Sequence, residues 1–295
     1  MMSHNYVIAL HGGAGVNPQR DYARVEAHLA DLVDRCDEML ADGASALDTV
    51  EFAVAQMESS GLYVAGRGSA PNDQNVVECD AAIMDGARLK AGGICAATDI
   101  AQPIRAARAV LEHTPYILLA GDGAKAFARE LNLEMVADPA THFVLPVGVE
   151  AEEMLKLDKG LAHGTVGAVA LDMNGELAAA TSTGGLLGKR AGRVGDTPIT
   201  GIGNWADSDV AVSCTGIGEA FIYAGGARDL AARMAYGGQS LEQAGASLLA
   251  AVAQNRGDGG LVAVDRYGKV AMPFNSAGMK RAVSGSQIDR TVSIL

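Results

Sequence analysis

Val166-Gly167-Ala168-Val169-Ala170-Leu171-Asp172 and Glu176-Leu177-Ala178-Ala179-Ala180-Thr181 are two apolar runs joined by Met173-Asn174-Gly175. Asn-Gly between such runs is the strongest short signal for a β-hairpin. The pattern recurs downstream, where residues 261–265 and 269–273 flank Arg266-Tyr267-Gly268, and residues 210–214 read as a further strand. Residues 220–236 and 241–254 carry helical patterns. The other half reverses the balance. After a short apolar run at 6–10, the segment 24–40 sets Val25, Leu29, Leu32, Val33, Cys36 and Leu40 on one helical face, and 46–58 repeats this with Leu47, Val50, Val54 and Met57. Helices are also expected at 104–112 and 124–131, with a short alternating strand at 76–84 that includes Glu78 and Asp80. Strands and helices thus come in blocks, which predicts an α+β fold of antiparallel sheets covered by helices rather than a doubly wound parallel sheet.

The chain has 295 residues, 49% hydrophobic and 20% charged, ample for a large buried core. One large domain or two tightly merged layers both fit that length. With 23 Lys and Arg against 35 Asp and Glu, the formal net charge is −12, which makes nucleic acid and anionic membrane poor partners. No run approaches the ~20 apolar residues of a membrane span. The first apolar run follows His4 and Asn5 instead of a cationic segment, so no secretory leader is expected here. Cys36, Cys79, Cys95 and Cys214 show no CxxC spacing, which argues for a reducing, cytoplasmic setting and for cysteines that act as small buried hydrophobes.

Two segments interrupt the periodicity. His11-Gly12-Gly13-Ala14-Gly15 reads as a tight glycine-dependent turn. The stretch 136–164, with Pro139, Pro146 and a charged run at 150–159, reads as an exposed, mobile linker.

The six histidines are His4, His11, His28, His113, His142 and His163, so the half of the chain richest in Thr-Gly strand ends has no imidazole of its own. No HExxH, Ser/His/Asp order, GxxxxGK[ST] or strand-linked GxGxxG is present. A hydroxyl nucleophile can instead use a base on its own residue. A chain-terminal amine has a pKa of about 7.7 to 8.0, so a threonine freed at its amino side carries a general base near neutral pH. Thr165 follows Gly164 directly after the linker and opens a buried-looking strand. On spacing alone a threonine that merely begins a strand is the commoner case.

The run His163 to Asp172, followed by Thr181-Ser182-Thr183-Gly184-Gly185, closely resembles the processing site of the plant-type L-asparaginase and isoaspartyl peptidase family. Further matches in the right order are the His11 to Gly15 run, Asp80-Ala81-Ala82-Ile83-Met84-Asp85-Gly86, Gly192-Arg193-Val194-Gly195-Asp196 and Ser213-Cys214-Thr215-Gly216, so the resemblance extends from about Ile8 to about Met279. It implies an N-terminal nucleophile hydrolase of the threonine type. The expected fold is a single αββα sandwich over 1–295, self-cleaved between Gly164 and Thr165 into segments 1–164 and 165–295. By the same resemblance Thr165 is the nucleophile and Thr183 its hydrogen-bonding neighbour. Arg193 takes the substrate α-carboxylate and Asp196 the α-ammonium, while the Thr215 hydroxyl and the Gly216 N–H form the oxyanion hole. That division suits the chemistry, since guanidinium grips a carboxylate bidentately and a carboxylate accepts from ammonium.

The implied reaction is hydrolysis of the side-chain amide of L-asparagine and of the isopeptide bond of β-aspartyl dipeptides. The alternatives are aspartylglucosaminidase-like cleavage of glycosylated asparagine, or a poorly matured relative that only binds amino acids. The resemblance further implies a dimer of cleaved units, no catalytic cofactor, and a structural sodium ion on carbonyls of residues 58–67, from Glu58 to Arg67. His163, two residues before the nucleophile, is similar to the aspartylglucosaminidase branch, but Thr183-Gly184-Gly185 resembles the asparaginase branch more and an exposed linker histidine is the preferred reading. Three positions depart from the family pattern: Val64 stands where an Asn is common, Gly188 where an Asn usually follows the Thr183 run, and Ile217 where a polar residue is frequent. They bear on self-cleavage efficiency and substrate preference.

Overall fold

A computed structural model describes residues 5–147 and 164–295. Eight strands form the larger sheet in the order β12-β11-β1-β5-β6-β2-β3-β4, and four form the smaller in the order β10-β9-β8-β7. The larger sheet comprises β1 (Val7–Ala14), β2 (Cys79–Asp85), β3 (Lys90–Ala97), β4 (Leu118–Ala120), β5 (Val166–Leu171), β6 (Leu177–Thr183), β11 (Met279–Gly285) and β12 (Ile288–Ser293). The smaller comprises β7 (Asn204–Ala206), β8 (Val210–Gly216), β9 (Gly259–Asp265) and β10 (Val270–Ala271). Among the described strands every strand-to-strand pairing is antiparallel except β3 with β4, a parallel edge that departs from the purely antiparallel expectation.

The strand period of two separates three apolar layers. In β1, Ile8 and Leu10 face a helical layer of α1 (Ala23–Ala41), α2 (Ala46–Ser60), α3 (Pro103–His113) and α4 (Gly121–Glu130), where they meet Leu29, Val33, Val54 and Met57. The alternate residues Val7 and Ala9 face the second sheet, with Val169, Leu171 and Leu177 against Ala211, Val262 and Val264. On the far side of the smaller sheet, Val212, Cys214 and Leu261 pack against Phe221, Leu230, Leu248 and Val252. Those four come from α6 (Gly218–Ala224), α7 (Gly226–Gly237) and α8 (Leu241–Gln254); α5 is the single turn Pro139–His142. The result is the αββα sandwich. Burial on both faces explains why β1, β5 and β6 read as continuous apolar runs.

The β5–β6 hairpin forms as expected, with Leu171 opposite Leu177 and Gly175 at φ +79°. The Asp172 carboxylate accepts from the N–H groups of Asn174 and Glu176 and so closes the turn. Several expectations need correction. His11 to Gly15 is not a turn: β1 runs on to Ala14, with an irregularity between His11 and Ala14 and Gly13 at φ +101°. The helix expected over 220–236 breaks into α6 and α7 where Gly225 (φ +83°) and Gly226 (φ +55°) turn left-handed, and a Cβ on Gly226 would stand 2.4 Å from Ile202 Cα and O, so a glycine is required there. Of the expected mobile linker, residues 148–163 and the histidine reading at His163 lie outside the described residues. Residues 139–147 are tied down, with Val144 N–H on Arg67 O and Val147 N–H on Leu62 O. All four cysteines are buried and free. Among the described residues no helix is long and apolar enough to cross a membrane.

Candidate active site

Thr165 stands one residue before β5 and Thr183 ends β6, the neighbouring strand, so the antiparallel register brings them side by side. The Thr165 hydroxyl donates to Thr183 Oγ1 at 3.2 Å, and the Gly185 N–H donates to the same oxygen at 3.0 Å. Both threonines are buried, at 6% and 4% exposure, so the pair is held away from bulk water. Gly164, on the amino side of the Gly164–Thr165 bond, is wedged in place. A Cβ on it would stand 2.3 Å from Val64 Cγ2, and a Cβ on Gly13 would stand 2.7 Å from Gly164 Cα. Only glycine fits before Thr165, and Val64 is the wall that makes it so.

A small pocket beside this bond is lined by Gly164, Thr165, Thr183, Leu186, Arg193, Asp196, Thr197, Gly216 and Gly218 among others. The structure thus brings Thr165, Thr183, Arg193, Asp196 and Gly216 together. Thr215 lies behind the lining, fully buried, and its Oγ1 accepts from the Ala14 N–H at 3.3 Å, which leaves its own proton to donate. Gly216 is at φ +143°, and a Cβ there would stand 2.3 Å from Asp258 O, so a glycine is required.

Arg193 and Asp196 stand in the irregular segment between β6 and β7. The Arg193 guanidinium is forked onto Glu219, Nε to Oε1 at 2.9 Å and Nη2 to Oε2 at 2.7 Å. Burial pushes the Asp196 carboxyl up to about 7, against the opposing pull of a backbone hydrogen bond and of Arg193. Its Oδ2 has no hydrogen-bond partner among the described residues. A buried carboxylate oxygen without a donor is costly unless a ligand supplies one, and an ammonium group would do so. Asp80, opposite Thr183 on β2, has a second unpartnered oxygen, and its carboxyl is likewise raised by burial.

Sequence reasoning missed two features. Glu219 was not singled out, although its place three residues after Gly216 puts it on α6 facing Arg193. The half of the chain without an imidazole borrows one: His11, fully buried on β1, bonds the Thr165 carbonyl oxygen through Nδ1 at 3.0 Å and Ser213 Oγ through Nε2 at 2.8 Å. The departures also have local accounts. Gly188 is at φ +66°, a left-handed conformation that glycine and asparagine share. Ile217 packs against the core of the smaller sheet and its helices. Among the described residues no group of three or more His, Cys, Asp or Glu is arranged to hold a metal ion.

The chain is similar to known proteins over nearly its whole length. An isoaspartyl peptidase of Escherichia coli is 42% identical over 94% of this chain and 92% of its own. The Salmonella typhimurium isoaspartyl peptidase is 42% identical over 94% of each. A Bos taurus isoaspartyl peptidase/L-asparaginase is 39% identical over 95% of this chain and 93% of its own. The sequence profile of the family described as Asparaginase matches residues 4–294, and the chain belongs to that family.

Proposed function

We propose that the chain cleaves itself between Gly164 and Thr165 and then hydrolyses the side-chain amide of L-asparagine and the isopeptide bond of β-aspartyl dipeptides. The observation that carries this reading is the shared pocket: Thr165 and Thr183, joined by their hydroxyls, line the same small space as Arg193 and Asp196. In maturation the Thr165 Oγ attacks the Gly164 carbonyl carbon, the peptide becomes an ester as the nitrogen leaves with a proton, and water hydrolyses that ester. The freed α-amine then serves as base. It takes the Thr165 hydroxyl proton as Oγ attacks the substrate β-carbonyl, and it returns the proton to the departing ammonia or amine. Water releases aspartate by the same route in reverse. The Thr215 hydroxyl and Gly216 N–H would meet the negative charge that develops on the carbonyl oxygen, a contribution worth ~10²- to 10³-fold per donor. Arg193 and Asp196 hold the α-carboxylate and α-ammonium that both substrates share, so one clamp serves both.

The family resemblance adds a sodium ion on residues 58–67. The turn closes on itself: a Cβ on Gly66 would stand 2.7 Å from Glu58 O, and one on Gly68 would stand 2.0 Å from Tyr63 O and 3.2 Å from Gly61 O. A hard cation held by main-chain oxygens of this turn is what the family resemblance supplies. Its part here is structural, supporting the turn that carries Val64. We further place the enzyme in the cytoplasm as a dimer of cleaved units.

Mass spectrometry of protein prepared without added protease should show a fragment beginning Thr165-Val166-Gly167, sizing should give two cleaved units, and the product should turn over both substrates. An intact chain with no turnover on either would remove the reading. Melting should rise in sodium relative to a bulky organic cation if the 58–67 turn is occupied.

A further inference from the structure

His11 lies on β1 directly opposite Gly167 of β5, two residues beyond Thr165. Thr165 itself is outside the registered strand pairs, which begin at Val166 and Gly167, and its carbonyl oxygen is bonded by the His11 side chain. A carbonyl can only accept, so Nδ1 must carry the proton. In the neutral ring Nε2 is then an acceptor, and the hydroxyl of Ser213 must donate to it at 2.8 Å. Ser213 Oγ is in turn 2.8 Å from Thr181 Oγ1, which must point its proton at Ser213. The short contacts run in one direction from the carbonyl, while Ala180 O and Gly203 O, each 3.4 Å from the Ser213 and Thr181 hydroxyls respectively, are the longer competing acceptors.

Two observations independent of the bonds show that the chain is built around this arrangement. A Cβ on Gly167 would stand 2.0 Å from Ser213 Oγ and 2.3 Å from His11 Nε2, so the strand is bare where the pair crosses it. His11, Thr181 and Ser213 are each at 0% exposure and come from β1, β6 and β8, so the network ties the two sheets together beneath the site. Burial pushes the imidazole down to about 3, the Thr165 carbonyl pulls the other way, and the charge of Lys280 adds to the lowering. The ring is therefore neutral throughout the working pH range, as the donor pattern requires.

We propose that His11 is a positioning residue for the nucleophile: fixed as its Nδ1–H form by Ser213 and Thr181, it pins the Thr165 carbonyl and so sets the direction in which the Thr165 hydroxyl points. This rests on the reading of Thr165 as the chain-terminal nucleophile. Cleavage removes the covalent anchor on the amino side of Thr165. What holds the residue afterwards is β5 on one side, the hydroxyl contact with Thr183, and the bond from His11. A displacement of about 1 Å at a reacting atom can cost ~10²-fold in rate.

The test compares His11→Asn, whose amide N–H can take the place of Nδ1–H, with His11→Leu, which has no donor. With the matured fraction counted, His11→Leu should lose about 10- to 100-fold in kcat with KM little changed, and His11→Asn should recover most of that loss. If His11→Leu fails to fold, Ser213→Ala and Thr181→Val, which disconnect the ring from behind, carry the same expectation in weaker form. ¹⁵N-histidine NMR of the intact chain should show the Nδ1–H tautomer with no titration between pH 5 and 9. The proposal is overturned by an Nε2–H tautomer, by His11→Leu and His11→Asn falling equally, or by a loss that tracks melting temperature alone. A wild-type chain that stays uncleaved and inactive sinks the reading of Thr165 instead, and the NMR result still decides the tautomer.

Discussion

At the nucleophile, Thr165 and Thr183 stand at the ends of two adjacent strands, and the polar groups around them are bonded: hydroxyl to hydroxyl, Gly185 N–H to Thr183, His11 to the Thr165 carbonyl. At the clamp, Arg193 and Asp196 stand in an irregular segment, the Asp196 Oδ2 has no partner, and Arg193 leans on a Glu219 side chain that is half exposed. The difference has a physical meaning. The hydroxyl must stay within a narrow angle in every turnover, so rigid strands and a filled hydrogen-bond shell suit it. A clamp of the proposed kind would gain its last bonds from the substrate, so its unmet polar atoms would give the ligand something to satisfy. Substitutions at the two ends should therefore fail in different ways, kcat at the first and KM at the second.

The largest effect is expected from Thr165→Ala. On the proposed mechanism, removing the hydroxyl deletes the group that attacks both the Gly164 carbonyl and the substrate, so fragment formation and hydrolysis should both fall to background by mass spectrometry and ammonia release. Hydrolysis by an intact Thr165→Ala chain would break the comparison at its stronger end.

Much of the architecture could be read before any coordinates, and the exceptions have causes. The β5–β6 hairpin and helices α1 to α3 announce themselves by period and by Asn174-Gly175. Strands β11 and β12 do not: Met279–Gly285 mixes Lys280, Arg281 and Ser284 into its pattern, and β12 is a largely exposed polar edge. Strand β7 has three residues and β3 passes through Gly92 and Gly93, too little and too bare for a periodicity to show. The candidate site divides along the same line. Thr165, Thr183, Arg193 and Asp196 stand in short local motifs. The bond between His11 and Ser213 spans 202 positions in sequence and exists only because β1, β5 and β8 come together in space.

A smaller effect, and one that sharpens the contrast, is expected at Asp196. Its carboxyl is raised by burial to about 7, so in the free protein it binds a proton well above its ordinary 3.8. The folded state thereby gains stability from this group that is complete below about 4 and lost as pH rises through about 7. Substrate ammonium needs the ionised form, so the dependence of binding runs the other way: KM should rise as pH falls below about 7. In Asp196→Asn that slope should vanish and KM should be high at every pH, by ~30-fold or more if loss of one partner from a buried charged pair costs about 2–5 kcal/mol. Maturation should continue. Steady-state kinetics from pH 5.5 to 8.5 on the wild type and the variant give the answer, and a pH-dependent KM that survives in Asp196→Asn would assign the titration to another group.

The smallest effect should come from Glu219→Gln. Glu219 holds the Nε and one Nη2 proton of Arg193, which leaves the donors on Nη1 and the remaining Nη2 proton for a carboxylate. Its value lies in aim, since the guanidinium is fixed in plane before substrate arrives. The pair is exposed to solvent on the glutamate side, at 50% against 17% for Arg193, and exposed pairs contribute about 0–1 kcal/mol. Glutamine keeps an oxygen that can accept one of the two bonds. KM should therefore rise by no more than about fivefold, kcat and fragment formation should stay unchanged, and the difference should shrink further in high salt, where exposed charges are screened. A larger loss than that of Asp196→Asn would reverse the order within the clamp and make the exposed ion pair, rather than the buried unpartnered oxygen, the feature on which substrate recognition depends.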